Sequence, residues 1–109
     1  MLSLEITVQE AKALLDSKAP LKLVDVREAD EFAVCKIDGA ELLPLSAFAQ
    51  EFAARLPDKA QKIVLYCHHG MRSLRAAEFL AEQGYTDVKS VSGGIDAWAR
   101  EIDQTVPRY

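Results

Sequence analysis

A chain of 109 residues, half of them hydrophobic and 28% charged, is expected to form one domain over 1–109 that buries its own core. A net charge of −4, with no basic run longer than two residues, argues against nucleic acid or an anionic membrane as partner. Two cysteines, Cys35 and Cys67, are too few for a disulfide framework and form no C-x-x-C pair. The opening M-L-S-L-E-I-T has no basic region, and no stretch reaches the length of a membrane span, so the cytoplasm is the expected compartment.

A very short strand is expected over 4–6. Thr7, with Glu10 three residues on, forms a capping box for a helix over 8–17, where Val8, Ala11, Leu14 and Leu15 recur at helical spacing. Residues 21–26, L-K-L-V-D-V, read as a buried strand. Asp25, Arg27 and Glu28 close it, as helix capping and salt bridging at a strand-to-helix turn. A short helix over 29–33 turns Phe32 inward. Asp38-Gly39 marks a turn in the loop 35–40. A strand over 41–45 follows, then a helix through Arg55 capped by Ser46, with Phe48, Phe52 and Leu56 on one face.

The apolar run 62–66 is a strand that ends on Cys67. The loop Cys67 to Arg72 has Gly70 inside it, and a helix over 72–83 begins at its far end. Ala76, Ala77, Phe79, Leu80 and Gln83 line one stripe of that helix, and Gly84 terminates it. A last strand over 88–91 leads through the tight turn Ser92-Gly93-Gly94 into a helix over 95–102 that buries Trp98. The tail 104–109 carries no signal. Strands and helices alternate throughout, which predicts an α/β fold with a parallel sheet covered by helices on both faces. In such sheets ligands bind beyond the carboxyl ends of the strands. Asp25, Cys67 and the Gly93-Gly94 turn all fall at those ends.

The loop after Cys67 suits a thiolate. A free thiol titrates near ~8.5, and only its anion attacks. A helix N-terminus just beyond the loop, a fixed charge on Arg72 and backbone N–H groups curving around Gly70 would all favour the anion. His68 and His69 add donors, or charge near neutral pH. An inert buried cysteine is the bland reading, but the loop and helix around Cys67 weigh against it. A metal held by Cys67, His68 and His69 is disfavoured, because adjacent residues rarely turn their side chains to one ion. Neither metal nor cofactor is expected.

The chain resembles the single-domain rhodaneses, the thiosulfate sulfurtransferase family. The segments that carry this are L-V-D-V-R-E-A-D-E-F (23–32), K-I-D-G-A (36–40), Y-C-H-H-G-M-R-S (66–73) and V-S-G-G-I-D-A-W (91–98), in that order over nearly the whole chain. The resemblance implies a rhodanese-like fold with a parallel five-stranded sheet. It implies that Cys67 takes a sulfane sulfur as a persulfide and that the loop of His68, His69, Gly70, Met71, Arg72 and Ser73 cradles it. It also implies that Asp25 and Arg27 support the site. The implied partners are a small sulfur donor such as thiosulfate and a thiophilic acceptor: cyanide, a thiol or a protein thiol. Related phosphatases of this fold carry C-x-x-x-x-x-R; the spacing here is C-x-x-x-x-R, one residue shorter, which suits sulfur over phosphate. The family's usual Gly-His pair is Cys35-Lys36 in this chain. Cys35 reads as a small residue of a scaffold loop rather than as a thiol that resolves the persulfide.

Two other classes stand beside a sulfurtransferase. One is a sulfur carrier or regulatory module serving a single partner protein. The other is a phosphatase or arsenate reductase using the same thiolate, against which the short loop counts.

Overall fold

The computed structural model describes residues 3–109. Five strands, β1 (Glu5–Ile6), β2 (Lys22–Asp25), β3 (Glu41–Leu42), β4 (Ile63–Tyr66) and β5 (Val88–Val91), form one sheet in the order β1-β5-β4-β2-β3. Every pairing is parallel. The helices are α1 (Val8–Asp16), α2 (Ala29–Val34), α3 (Leu45–Arg55), α4 (Met71–Glu82) and α5 (Gly94–Glu101). The chain therefore has the α/β architecture with a parallel five-stranded sheet expected of it. None of the described helices is long and apolar enough to cross a membrane.

β4 lies at the centre of the sheet, and all four of its residues are buried. Its side chains alternate between the two faces, as a period of two requires. Ile63, Leu65 and then Cys67 join Phe48, Leu56, Ala76, Ala77 and Leu80 in a core under α3 and α4. Val64 and Tyr66 join Val8, Ala11, Ile95 and Trp98 under α1 and α5. The strand's alternation alone thus turns the sulfur toward α4.

The capping box of α1 is present: Thr7 Oγ1 accepts from the Glu10 N–H and Glu10 accepts from the Thr7 N–H. Gly84, at φ +96°, ends α4 in the left-handed conformation. Four local expectations fail. β3 is only two residues long, although the N–H groups of Leu43 and Leu45 still donate to the Asp25 and Val26 carbonyls at 2.9 and 3.0 Å. Helix α3 then begins at Leu45 with Pro44 at its cap, and Ser46 instead donates its hydroxyl to Glu28 at 2.7 Å. Phe32 is only half-buried, with the Lys36 ammonium 5.0 Å over its ring. Gln83 is exposed, because it follows the last turn of α4 rather than extending its buried stripe.

Candidate active site

Cys67 leaves the end of β4 and is 1% exposed. Three donors converge on its sulfur. The Gly70 N–H lies at 3.1 Å, the Ser73 N–H at 3.4 Å and the Ser73 hydroxyl at 3.5 Å. Gly70 is the N-cap of α4 and has no side chain to offer the helix's first N–H groups. The sulfur takes that place: Ser73 is the third residue of α4, and its orphan N–H, normally satisfied by a capping oxygen, points at Sγ. An acceptor at a helix N-terminus is stabilised further when it is anionic.

The loop's carbonyls are held by a different helix. Ile95 N–H donates to the Cys67 carbonyl at 2.8 Å, and Asp96 N–H donates to the His68 carbonyl at 3.0 Å. Both donors lie in the first turn of α5, which docks against the loop through Gly94. Gly70 adopts φ +104°, which lets the loop turn back on the sulfur.

The remaining sequence candidates have other positions. Arg72 does not meet the sulfur. Its guanidinium forms a fork with Glu31 of α2, at 2.8 and 2.9 Å, and this holds the Glu31 carboxyl down to about 2 despite partial burial. Met71 is 65% exposed on the rim. His69 is exposed, and its ring stacks on that of His68 with centroids 3.9 Å apart. Burial first, then the neighbouring His69, lowers the His68 pKa below its ordinary value and so disfavours a charge on this ring. Its Nε2 is buried and has no hydrogen-bond partner among the described residues.

His68, His69 and Asp96 bring one ligand atom each within 4.8 Å of one another. The Asp96 carboxylate already accepts from Arg100 and Arg108, each at 3.0 Å, so its charge is met by two guanidiniums rather than open to a cation. Asp25, the last residue of β2, and Arg27 just past it form a fully buried pair at 2.6 Å. Arg27 also donates to the Cys35 carbonyl at 2.6 Å. Burial opposes its charge, but Asp25 and then Tyr109 outweigh burial and raise its pKa. Cys35 packs in the core under α1 and α5, on the opposite face of the sheet from Cys67.

Two site features carried little or no sequence signal. Tyr109, in the tail, folds back over the site. Its ring stacks on His68 at 3.9 Å, and its hydroxyl accepts from Arg27 at 2.7 Å and donates to Glu31 at 2.8 Å. Ser90 of β5 places its hydroxyl 2.7 Å from that of Ser73. A buried polar side chain in a core strand was the only hint of the second; nothing in the tail's composition hinted at the first.

The chain is similar in sequence and fold to known proteins. Thiosulfate sulfurtransferase GlpE of Haemophilus influenzae is 40% identical over 96 residues, which are 88% of each chain. The probable adenylyltransferase/sulfurtransferase MoeZ of Mycobacterium tuberculosis is 38% identical over 105 residues, 95% of this chain and 26% of that one. This chain thus spans about a quarter of the length of such two-activity relatives. The human single-domain sulfurtransferase TSTD1 superposes with a TM-score of 0.80 at 26% identity, over 92% of this chain and 98% of that one. The family model described as a rhodanese-like domain matches residues 7–101, and with it the chain belongs to the rhodanese-like family.

Proposed function

We propose that this chain is a thiosulfate-type sulfurtransferase working through a persulfide on Cys67. The observation that carries the reading is the convergence of Gly70 N–H, Ser73 N–H and Ser73 hydroxyl on one buried sulfur. Such a cradle favours an anion on that sulfur, or on a second sulfur bonded to it. The Cys67 thiolate attacks the outer sulfur of thiosulfate. The donor's S–S bond breaks, its electron pair leaves with sulfite, and Cys67 carries a persulfide anion. A thiophilic acceptor, whether cyanide, a small thiol or a protein thiol, then attacks the outer sulfur and releases the original thiolate. Charge balances in both halves, with no metal or redox cofactor in the scheme. The route is a double displacement and predicts ping-pong kinetics.

In this reading His68, His69 and Met71 line the approach, Arg72 fastens the loop to α2, and Asp25 with Arg27 holds the loop 35–40 against the site. Two free cysteines fit a reducing cytoplasm as the setting. Delivery of the sulfur to one partner protein is a second reading. It is favoured by the match to MoeZ, named as a probable adenylyltransferase/sulfurtransferase, of which this chain spans about a quarter. Intact mass after thiosulfate treatment tests the first step. One sulfur should be gained on the Cys67 peptide and removed by cyanide, and Cys67→Ser should gain none. Turnover of thiosulfate and cyanide by Cys67→Ser at the parent rate would refute the proposal. Loading without appreciable turnover would select the carrier reading.

A further inference from the structure

Ser90 is out of place by the logic of its strand. Val88, two residues earlier on the same face of β5, packs in the core under α4 with Leu65 and Ala77, whereas Ser90 puts a fully buried hydroxyl there. Among the described residues that hydroxyl has one hydrogen-bonding neighbour, the Ser73 hydroxyl at 2.7 Å. Ser73 has three: Ser90, the Gly70 carbonyl at 3.2 Å and the Cys67 sulfur at 3.5 Å.

Counting protons fixes the direction of this chain. Each hydroxyl has one proton to give, and a buried proton goes to an acceptor. Among the described residues the Ser90 proton has only the Ser73 oxygen to go to. Ser73 therefore accepts from Ser90, and its own proton is left for the Gly70 carbonyl or for the sulfur. The Gly70 carbonyl already receives the Leu74 N–H at 3.0 Å. Once the sulfur is anionic, the charge-assisted bond is the stronger of the two and draws the proton to Sγ by rotation of a hydroxyl, with no movement of heavy atoms.

We propose that Ser90 is a positioning residue for sulfur transfer: it donates to Ser73 and so commits the Ser73 hydroxyl to the Cys67 sulfur. The inference deepens the persulfide reading and shares its assumption that the Cys67 anion is the working form. Donation from Ser90 also polarises the Ser73 O–H, so the effect reaches the sulfur without contact between Ser90 and substrate.

The test is the pH midpoint of Cys67 alkylation by iodoacetamide, read on the Cys67 peptide by mass spectrometry so that Cys35 does not interfere. Ser73→Ala should raise the midpoint by about one pH unit, the value of one hydrogen bond to an anion. Ser90→Ala should raise it by a smaller amount, about 0.3 unit, since Ser73 keeps its proton but loses its orientation. In the Ser73→Ala background Ser90→Ala should add nothing. A loosened core would shift the midpoint equally in both backgrounds, and that result would overturn the proposal, as would an unmoved midpoint in Ser90→Ala. Should Ser90→Ala fail to fold, Ser90→Thr and Ser90→Val replace it. The threonine should keep the parent midpoint and the valine should raise it, while equal midpoints would overturn the role. Sulfur loading is a separate readout. The expected midpoints without loading would reject the persulfide and leave Ser90's role intact. Loading without the midpoint pattern would do the reverse.

Discussion

Gly94→Ala should silence the site while leaving the domain folded. Gly94 sits at φ +60°, a conformation that costs an L-residue about 1–2 kcal/mol. A Cβ built there would stand 2.5 Å from the His68 carbonyl oxygen and closer still to that of Cys67. Both obstacles are backbone, so neither can rotate away, and α5 must move back from the loop by roughly an ångström to reach van der Waals contact. That movement breaks the Ile95-to-Cys67 and Asp96-to-His68 hydrogen bonds, worth about 1 kcal/mol each. The sum is about 3–4 kcal/mol, inside the 5–15 kcal/mol that typical domains hold in reserve. Displacement of a nucleophile by about an ångström costs on the order of 100-fold in rate. Gly39→Ala is the control: φ is +88°, and an added Cβ there meets nothing within 4 Å. It should cost about 1–2 kcal/mol and leave turnover unchanged. Urea unfolding and thiosulfate–cyanide turnover on both variants decide the matter. Gly94→Ala turning over as fast as Gly39→Ala would refute the idea that α5 holds the loop in its working shape.

Glu31→Gln should lower stability by about 1–2 kcal/mol at pH 7, taking the depressed carboxyl and discounting it for a pair whose side chains are 19% and 35% exposed. Because the folded pKa lies near 2, below the ordinary 4.5, the Glu31 contribution is complete above about 4.5 and disappears as pH falls toward 2. The gap between parent and variant in urea should therefore close over that window, and a gap that stays constant would mean the Arg72 fork contributes nothing. Tyr109→Phe keeps the ring on His68 but removes the hydroxyl shared by Arg27 and Glu31. It should cost about 1 kcal/mol in thermal or urea unfolding, reduced from the value of a fully buried charged bond because Tyr109 is 42% exposed. An unchanged midpoint would show that the tail does not hold this contact in solution.

What could be read from the chain was whatever is local. The strand before Cys67, its alternation, the Thr7 capping box, the Gly84 terminator and the glycine turn at 93–94 depend on neighbours a few residues away, so their signals survive in the bare sequence. The partners of the site's charged and polar groups do not. Arg72 looked like a charge for the sulfur because nothing in the sequence announces that Glu31, 41 positions earlier, will take it. Tyr109 reaches back 78 and 82 positions to Glu31 and Arg27, and its ring lands on His68. Ser46 misled for a local reason: a capping residue type stood two positions past a proline that already served as the helix boundary.

The division of labour between two helix N-termini explains how so small a loop can favour an anion. A six-residue turn offers N–H groups and carbonyls in equal number, and carbonyls facing the sulfur would cancel the field of the N–H groups. Here the carbonyls of Cys67 and His68 are taken up by the first turn of α5, while Gly70 and the first turn of α4 direct their donors to Sγ. The close approach of α5 requires a residue without Cβ at 94, and the reversal at 70 requires a left-handed φ. Charge on Arg72 then becomes unnecessary at the sulfur and free to pin the loop to α2. The glycine turn at the end of β5 is therefore as much part of the sulfur's electrostatics as the loop that carries it.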